Sequence, residues 1–251
     1  MGRRLGILAA GLAAALLGAP TPGGAVVGAS QSGAAFANRL VMVLSRGSER
    51  QAFCTGIVLE ARVILTAAHC VGAIGGMAIL YRDAEEKPVL IGVAAAAIHP
   101  LYRADANVAR EPTIDMALVE TVAPIDPRFV PARLAEGDGP PVGSDAILAG
   151  YGDGREGDSD SGGTLRSARL AVRAPLSDIL LWTEDADGGG AGACRGDSGG
   201  PLFLADAETV AAVVFWTSGS VRGKHCGAIT QGALVAPQRG WIEKTMTKWG
   251  R

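Results

Sequence analysis

Apolar runs in this chain are short, and glycine, proline or aspartate stands in the segments between them. They fall at 35–44, 53–66, 77–81, 89–98, 116–119, 146–149, 165–172, 179–182, 201–204, 209–216 and 232–236. Nearly all have strand length, and many short strands with turn signals between them argue for an all-β sandwich or barrel. The polar run from Ser45 to Arg50 separates the first two and predicts a hairpin. Thirty-six glycines and an aromatic content of 5% suit a turn-rich β protein. The C-terminus reads differently. Trp241, Thr245 and Trp249 lie four apart with Ile242 and Met246 beside them, which is one helical face. A helix over about 238–250 is expected to lie on the β body.

The first residues stand apart from that body. Met1 to Arg4 carries two arginines, and residues 5–17 contain only Leu, Ile, Ala and Gly. The run is short for a membrane span and has the order of a secretory signal peptide. Arg3-Arg4 also suits a twin-arginine signal, on two residues alone. Cleavage is expected after Ala19 or after Ala25, and the second leaves Val26 as the new N-terminus. Residues 1–25 are therefore assigned to the signal peptide, and the product is expected to be exported, to a periplasm or beyond the cell, with no stable membrane anchor.

The remaining chain is long enough for one large domain or two small ones packed together. A formal charge of −2 gives no basic field for nucleic acid. The stretch 124–143, rich in Pro and Gly, is the candidate linker between two halves. The glycine-aspartate loop 151–163 has no apolar face to dock. Four cysteines, Cys54, Cys70, Cys194 and Cys226, read as disulfides behind an export signal. Four cysteines allow three pairings, and spacing does not choose among them. No Cys-x-x-Cys pair supports zinc, and neither metal nor cofactor is expected.

Chemistry concentrates in Cys194-Arg-Gly-Asp-Ser-Gly-Gly-Pro201. Ser198 between glycines has little steric cover, so a carbonyl can approach it. Gly196 and Ser198 can present two backbone N–H groups to one developing oxyanion. The letters also fit a Gly-x-Ser-x-Gly nucleophile elbow, but a strand rather than a helix follows. A hydroxyl needs a base. Of three histidines, His69 ends an apolar strand, whereas His99 and His225 read as ordinary surface residues. Asp115, at the start of another apolar run, can hold the second ring nitrogen of the base.

Thr66-Ala-Ala-His69-Cys70, Asp115-Met-Ala-Leu118 and Gly196-Asp-Ser198-Gly-Gly-Pro201 together resemble the signatures of the chymotrypsin–trypsin serine protease family, in its order of His, Asp and Ser. The resemblance spans about 26–249 and is taken as that of a secreted, bacterial-type member. It implies two packed antiparallel six-stranded β-barrels with a C-terminal helix and the active site in the cleft between them. Barrel 1 is placed at about 35–123 and barrel 2 at about 144–236. It implies catalytic roles for His69, Asp115 and Ser198, an oxyanion hole at Gly196 and Ser198, and disulfides Cys54–Cys70 and Cys194–Cys226. It also implies that a freed Val26 amino group pairs with Asp197.

The same comparison marks departures. The trypsin-type pocket aspartate is replaced by Gly192, followed by Ala193, so preference for Lys or Arg is not expected. Trp216 and Thr217 complete the expected pocket, with Thr217 narrowing it, and Arg195 beside the cleft is expected to favour acidic groups. Phe215 stands where the family has a serine that hydrogen-bonds the triad aspartate. The expected function is a secreted serine endopeptidase acting on proteins or peptides. The alternative is a catalytically weak member acting as a secreted binding or regulatory protein.

Overall fold

A computed structural model describes residues 26–28, 30–46, 51–106, 111–220 and 222–251, apart from the side chains of 51 and 52. The signal peptide expected at 1–25 lies outside the described residues. A two-residue strand, β1 (Gln31–Ser32), leads into β2 (Leu40–Arg46), β3 (Gln51–Glu60), β4 (Val63–Thr66), β5 (Met77–Arg82), β6 (Pro88–Ile98) and β7 (Ala117–Thr121). Strands β2 to β7 close a barrel in the order β2-β3-β4-β7-β6-β5. The hairpin expected from 45–50 is the β2–β3 connection, with Leu40 opposite Ile57 and Arg46 opposite Gln51.

A short β8 (Arg133–Leu134) precedes β9 (Asp145–Gly150), β10 (Arg166–Val172), β11 (Leu180–Glu184), β12 (Pro201–Leu204), β13 (Thr209–Ser218) and β14 (Ile229–Leu234). The order β10-β11-β14-β13-β12-β9 returns on itself through β9–β10 pairing and makes a second six-stranded antiparallel barrel. Strand β1 extends it at β10, and β8 runs parallel to β13. The chain ends in helix α1 (Arg239–Lys248). The two barrels and the terminal helix are the architecture the sequence led us to expect.

Side-chain period explains the two cores. On β10, Ala168, Leu170 and Val172 alternate inward, with Leu148 and Ala146 of β9 beside them. Strand β13 lacks such alternation because both of its faces are covered. Its Ala212 and Val214 fill barrel 2, while Val213 and Phe215 join the cluster that holds Phe203 and Ile242 of α1. The register slips between Val214 and Trp216, so Phe215 is the extra residue of a β-bulge. Phe215 lies in the core at 7% exposure, in the same cluster as Val213 two residues earlier.

Two expectations change. His99 is not a surface residue: it is 5% exposed and meets Trp241 edge-on at 4.7 Å. Its burial lowers its pKa, against an opposing hydrogen bond with Gln238. It seats the start of α1, a role invisible in the surrounding Ile-His-Pro. The loop 151–163, expected to have no apolar face to dock, does dock: Tyr151 packs against the core and donates its hydroxyl to the Leu40 carbonyl at 3.2 Å, while Ser161 Oγ accepts the N–H groups of Gly154 and Arg155 at 3.1 and 3.0 Å. The stretch expected to link the halves runs along barrel 1. There Ile125, Phe129 and Ala132 are buried, and Ile125 and Ala132 donate to the Ala61 and Val58 carbonyls.

Candidate active site

Strand β4 ends at Thr66, and a short 3-10 turn over Ala68–Cys70 presents His69. The Cys54–Cys70 disulfide ties that turn to β3. Asp115 stands two residues before β7, the neighbour of β4 in the barrel. His69 gives Asp115 two donors. Its backbone N–H reaches Oδ1 at 3.0 Å and its Nδ1 reaches Oδ2 at 2.7 Å. The aspartate side chain is 6% exposed and the histidine ring 35%. A buried carboxylate with both oxygens satisfied by one residue holds that ring in a single orientation, with Nδ1 as donor and Nε2 as the free acceptor.

Ser198 comes from the other barrel, in the turn before β12. Its loop is pinned to barrel 1 around Thr55. The Thr55 N–H donates to the Ser198 carbonyl at 2.8 Å, and the Thr55 hydroxyl donates to the Gly196 carbonyl at 3.0 Å. The same hydroxyl accepts the Tyr151 N–H at 3.0 Å. Cys70 Sγ lies 3.9 Å from the Ser198 carbonyl oxygen. Gly199, at φ +81°, sits so close to barrel 1 that a Cβ there would fall 2.1 Å from Thr66 Oγ1 and 3.0 Å from Ala67 N. Only glycine allows this approach, and it places the Ser198 turn against the residues that lead into His69. Gly196 has φ +94°, and a Cβ there would meet the Phe53 ring at 2.4 Å. Among the described residues the N–H groups of Gly196 and Ser198 have no acceptor. Two free donors on one loop can serve an incoming oxyanion.

Asp197 is fully buried. Its Oδ1 accepts the Gly152 N–H at 2.8 Å and its Oδ2 the Cys194 N–H at 2.9 Å. The backbone N–H of Val26, itself 0% exposed, also donates to it. Burial outweighs these donors and pushes the carboxyl up to about 7, with the charge of Asp153 adding to the rise. The segment carrying Val26 is held by a bridge between Val27 and Gly192. Gly28 packs so tightly on Gly190 that a Cβ would lie 2.3 Å from its carbonyl.

Beside the Ser198 loop, Gly192 and Ala193 are backbone-bound and buried. Ala193 N–H donates to Thr230 Oγ1 at 2.9 Å, and a Cβ on Gly192 would meet Gly227 Cα at 3.0 Å. The Cys194–Cys226 disulfide joins this segment to the chain before β14. Thr217 Oγ1 lies within hydrogen-bond reach of the Ala193 and Ile229 carbonyls, so its hydroxyl is held to the backbone. Trp216 is half-buried and meets Trp182 edge-on at 6.3 Å. Arg195, expected to favour acidic groups near the cleft, has a 61% exposed side chain and donates its Nε to Asp153 Oδ2 at 2.8 Å. Asp153, Thr55 and Thr230 carry no motif of their own in the sequence. Gly150-Tyr-Gly152 and Cys54 lie beside the first two and were the only available signals, while Thr230 has none. Cys54, His69 and Cys70 also cluster within metal-binding distance, but both cysteines are consumed in the disulfide and offer no thiolate.

Two closed six-stranded barrels and a terminal helix, with a His–Asp pair on the first barrel and a glycine-framed serine on the second, define the chymotrypsin-type fold class. The model of the trypsin family matches residues 26–240, and the chain belongs to that family. It is 31% identical over 216 residues to trypsin Tyr p 3.0101 of Tyrophagus putrescentiae, covering 76% of this chain and 71% of that one. It is 27% identical to trypsin eta of Drosophila melanogaster, over 90% of each chain. Among solved structures it resembles the scabies mite inactivated protease paralogue S-I1, with a TM-score of 0.69 and 24% identity over 88% of this chain and 99% of that one. These relatives are animal proteins and lend no support to the bacterial-type expectation. Among the described residues no helix is long and apolar enough to cross a membrane.

Proposed function

We propose that the protein is an exported serine endopeptidase that cleaves peptide bonds through an acyl-enzyme. Ser198 Oγ attacks the carbonyl carbon while His69 Nε2 takes its proton, and Asp115 stabilises the imidazolium that forms. The Gly196 and Ser198 N–H groups receive the oxyanion. His69 then returns the proton to the leaving amine, and water repeats the sequence on the ester. The single observation that carries this reading is the pair of donors from His69 to the two oxygens of buried Asp115, beside the braced Ser198 turn. The departure at Phe215 leaves Asp115 with both oxygens satisfied by His69. Protein or peptide substrates follow from the family, and no step calls for a cofactor. A fluorophosphonate probe is expected to label the folded protein beginning at Val26 stoichiometrically, on the peptide containing Ser198. Absence of label in that protein would move the weight to a secreted binding or regulatory role, for which the replacement by Phe215 is the one motive.

Gly192 and Ala193 bring no charge to the pocket, and Asp185 nearby turns its Oδ2 to the Ala191 N–H at 2.9 Å. We expect cleavage after small or medium apolar residues. A peptide library read by mass spectrometry checks this, and dominant cleavage after Lys or Arg would refute it.

A further inference from the structure

Arg195 and Asp153 contact each other twice. The Asp153 N–H donates to the Arg195 carbonyl at 2.7 Å, and Arg195 Nε donates to Asp153 Oδ2 at 2.8 Å. The Arg195–Gly196 peptide is trans, so its carbonyl and its N–H point in opposite directions. Fixing the carbonyl on Asp153 therefore fixes the direction of the Gly196 N–H, away from Asp153. The aspartate side chain is 2% exposed while that of Arg195 is 61% exposed. Asp153 Oδ1 is buried without a hydrogen-bond partner. A built Cβ on Gly162 would crowd it at 2.8 Å, so the carboxylate has no room to take in a compensating group on that side. Its compensation comes from one outward-reaching guanidinium. Asp197, one turn away, is a second buried acid and adds to the need for it.

We propose that Asp153 and Arg195 form a latch that sets the orientation of the Arg195–Gly196 peptide, which makes Asp153 a positioning residue for the oxyanion site. The inference rests on the protease reading for its catalytic consequence, though not for its structural one. Removing the guanidinium leaves a buried carboxylate without a counter-charge, a far worse state than having neither charge. The carboxylate then leaves its site, the loop at 153 shifts, and the Arg195 carbonyl is released. The Gly196 N–H loses its aim. Removing both charges spares the backbone bond.

Arg195→Ala is accordingly expected to lower kcat about tenfold or more, a fraction of the ~10²–10³ that loss of an oxyanion donor costs, with KM nearly unchanged. Asp153→Asn/Arg195→Ala is expected to fold and to recover kcat to within about threefold of the parent, a non-additivity that independent sites do not show. Amide hydrogen exchange at Asp153 is the parallel readout, independent of turnover: protection falls in Arg195→Ala and returns in the double variant. An inactive parent protein would sink the protease reading, and the exchange data would still judge the latch. Unchanged Asp153 protection in Arg195→Ala overturns the proposal. So does a double variant no better than Arg195→Ala, or one that fails to fold.

Discussion

Ser198→Ala is expected to lower peptide turnover by about a million-fold and to abolish fluorophosphonate labelling while leaving the fold intact. The size follows from how a triad works. Loss of the nucleophile alone costs about as much as loss of all three members, and what survives comes from the oxyanion site and binding. The structural cost is small because Ser198 is held by its backbone: its carbonyl accepts from Thr55, and the turn around it is set by Gly199 and Gly196. The measurement is kcat/KM on a peptide substrate beside thermal unfolding. Equal melting with turnover at the detection limit is the expected pair of results. Residual turnover within tenfold of the parent would refute Ser198 as the nucleophile.

The second large effect concerns Val26. Asp197 is fully buried among backbone donors, one of them the Val26 N–H. An amide supplies a dipole, whereas a freed amino group supplies a full charge. Cleavage after Ala25 would create that ammonium at the place where the carboxylate lies, without an activating protease. A chain that keeps residues ahead of Val26 leaves Asp197 uncompensated. Breaking a buried pair costs about 3–5 kcal/mol, so kcat/KM of the extended chain is expected to be about 10²–10⁴-fold lower than that of a chain beginning at Val26.

The extended chain has a matching pH signature. With its carboxyl raised from 3.8 to about 7 by burial, the folded form holds a proton that the unfolded form has lost. The stabilisation is full below about pH 4 and is lost as pH rises through about 7. A separation of roughly three pH units is worth about 4 kcal/mol at most. Urea unfolding between pH 4 and 8 should show this decline in the extended chain and a flat response at this site in Asp197→Asn. A chain beginning at Val26 should escape it, because the ammonium favours the ionised acid. Equal activity of the two chains would dispose of the Val26–Asp197 pairing.

Much of this molecule is written locally. Strand lengths and the turns between them follow from side-chain period and from glycine and proline, which act within a few residues. The α1 face at Ile242 and Thr245 was legible for the same reason. The motifs at His69, Asp115 and Ser198 were legible because each confines its chemistry to a short run, and their order carried the family. The two disulfides came with that resemblance, since cysteine spacing alone left three pairings.

Other features depend on which distant segments the barrels bring together. His99 looked exposed because nothing beside it reveals that Trp241 will cover it. Arg195 gave no sign of its partner because Asp153 sits in the loop after β9, and only the antiparallel pairing of β9 with β12, with Leu148 opposite Leu202, brings that loop to the turn holding Arg195 and Ser198. Phe215 looked like a defect in a substrate strand, yet it is buried beside Val213 in the core. Sequence therefore determined the elements, because propensity and periodicity are short-range, and short motifs marked the candidate site residues. Tertiary structure alone decided which buried charge meets which counter-charge, because desolvation and Coulomb energy depend on distances that exist only once both barrels have closed.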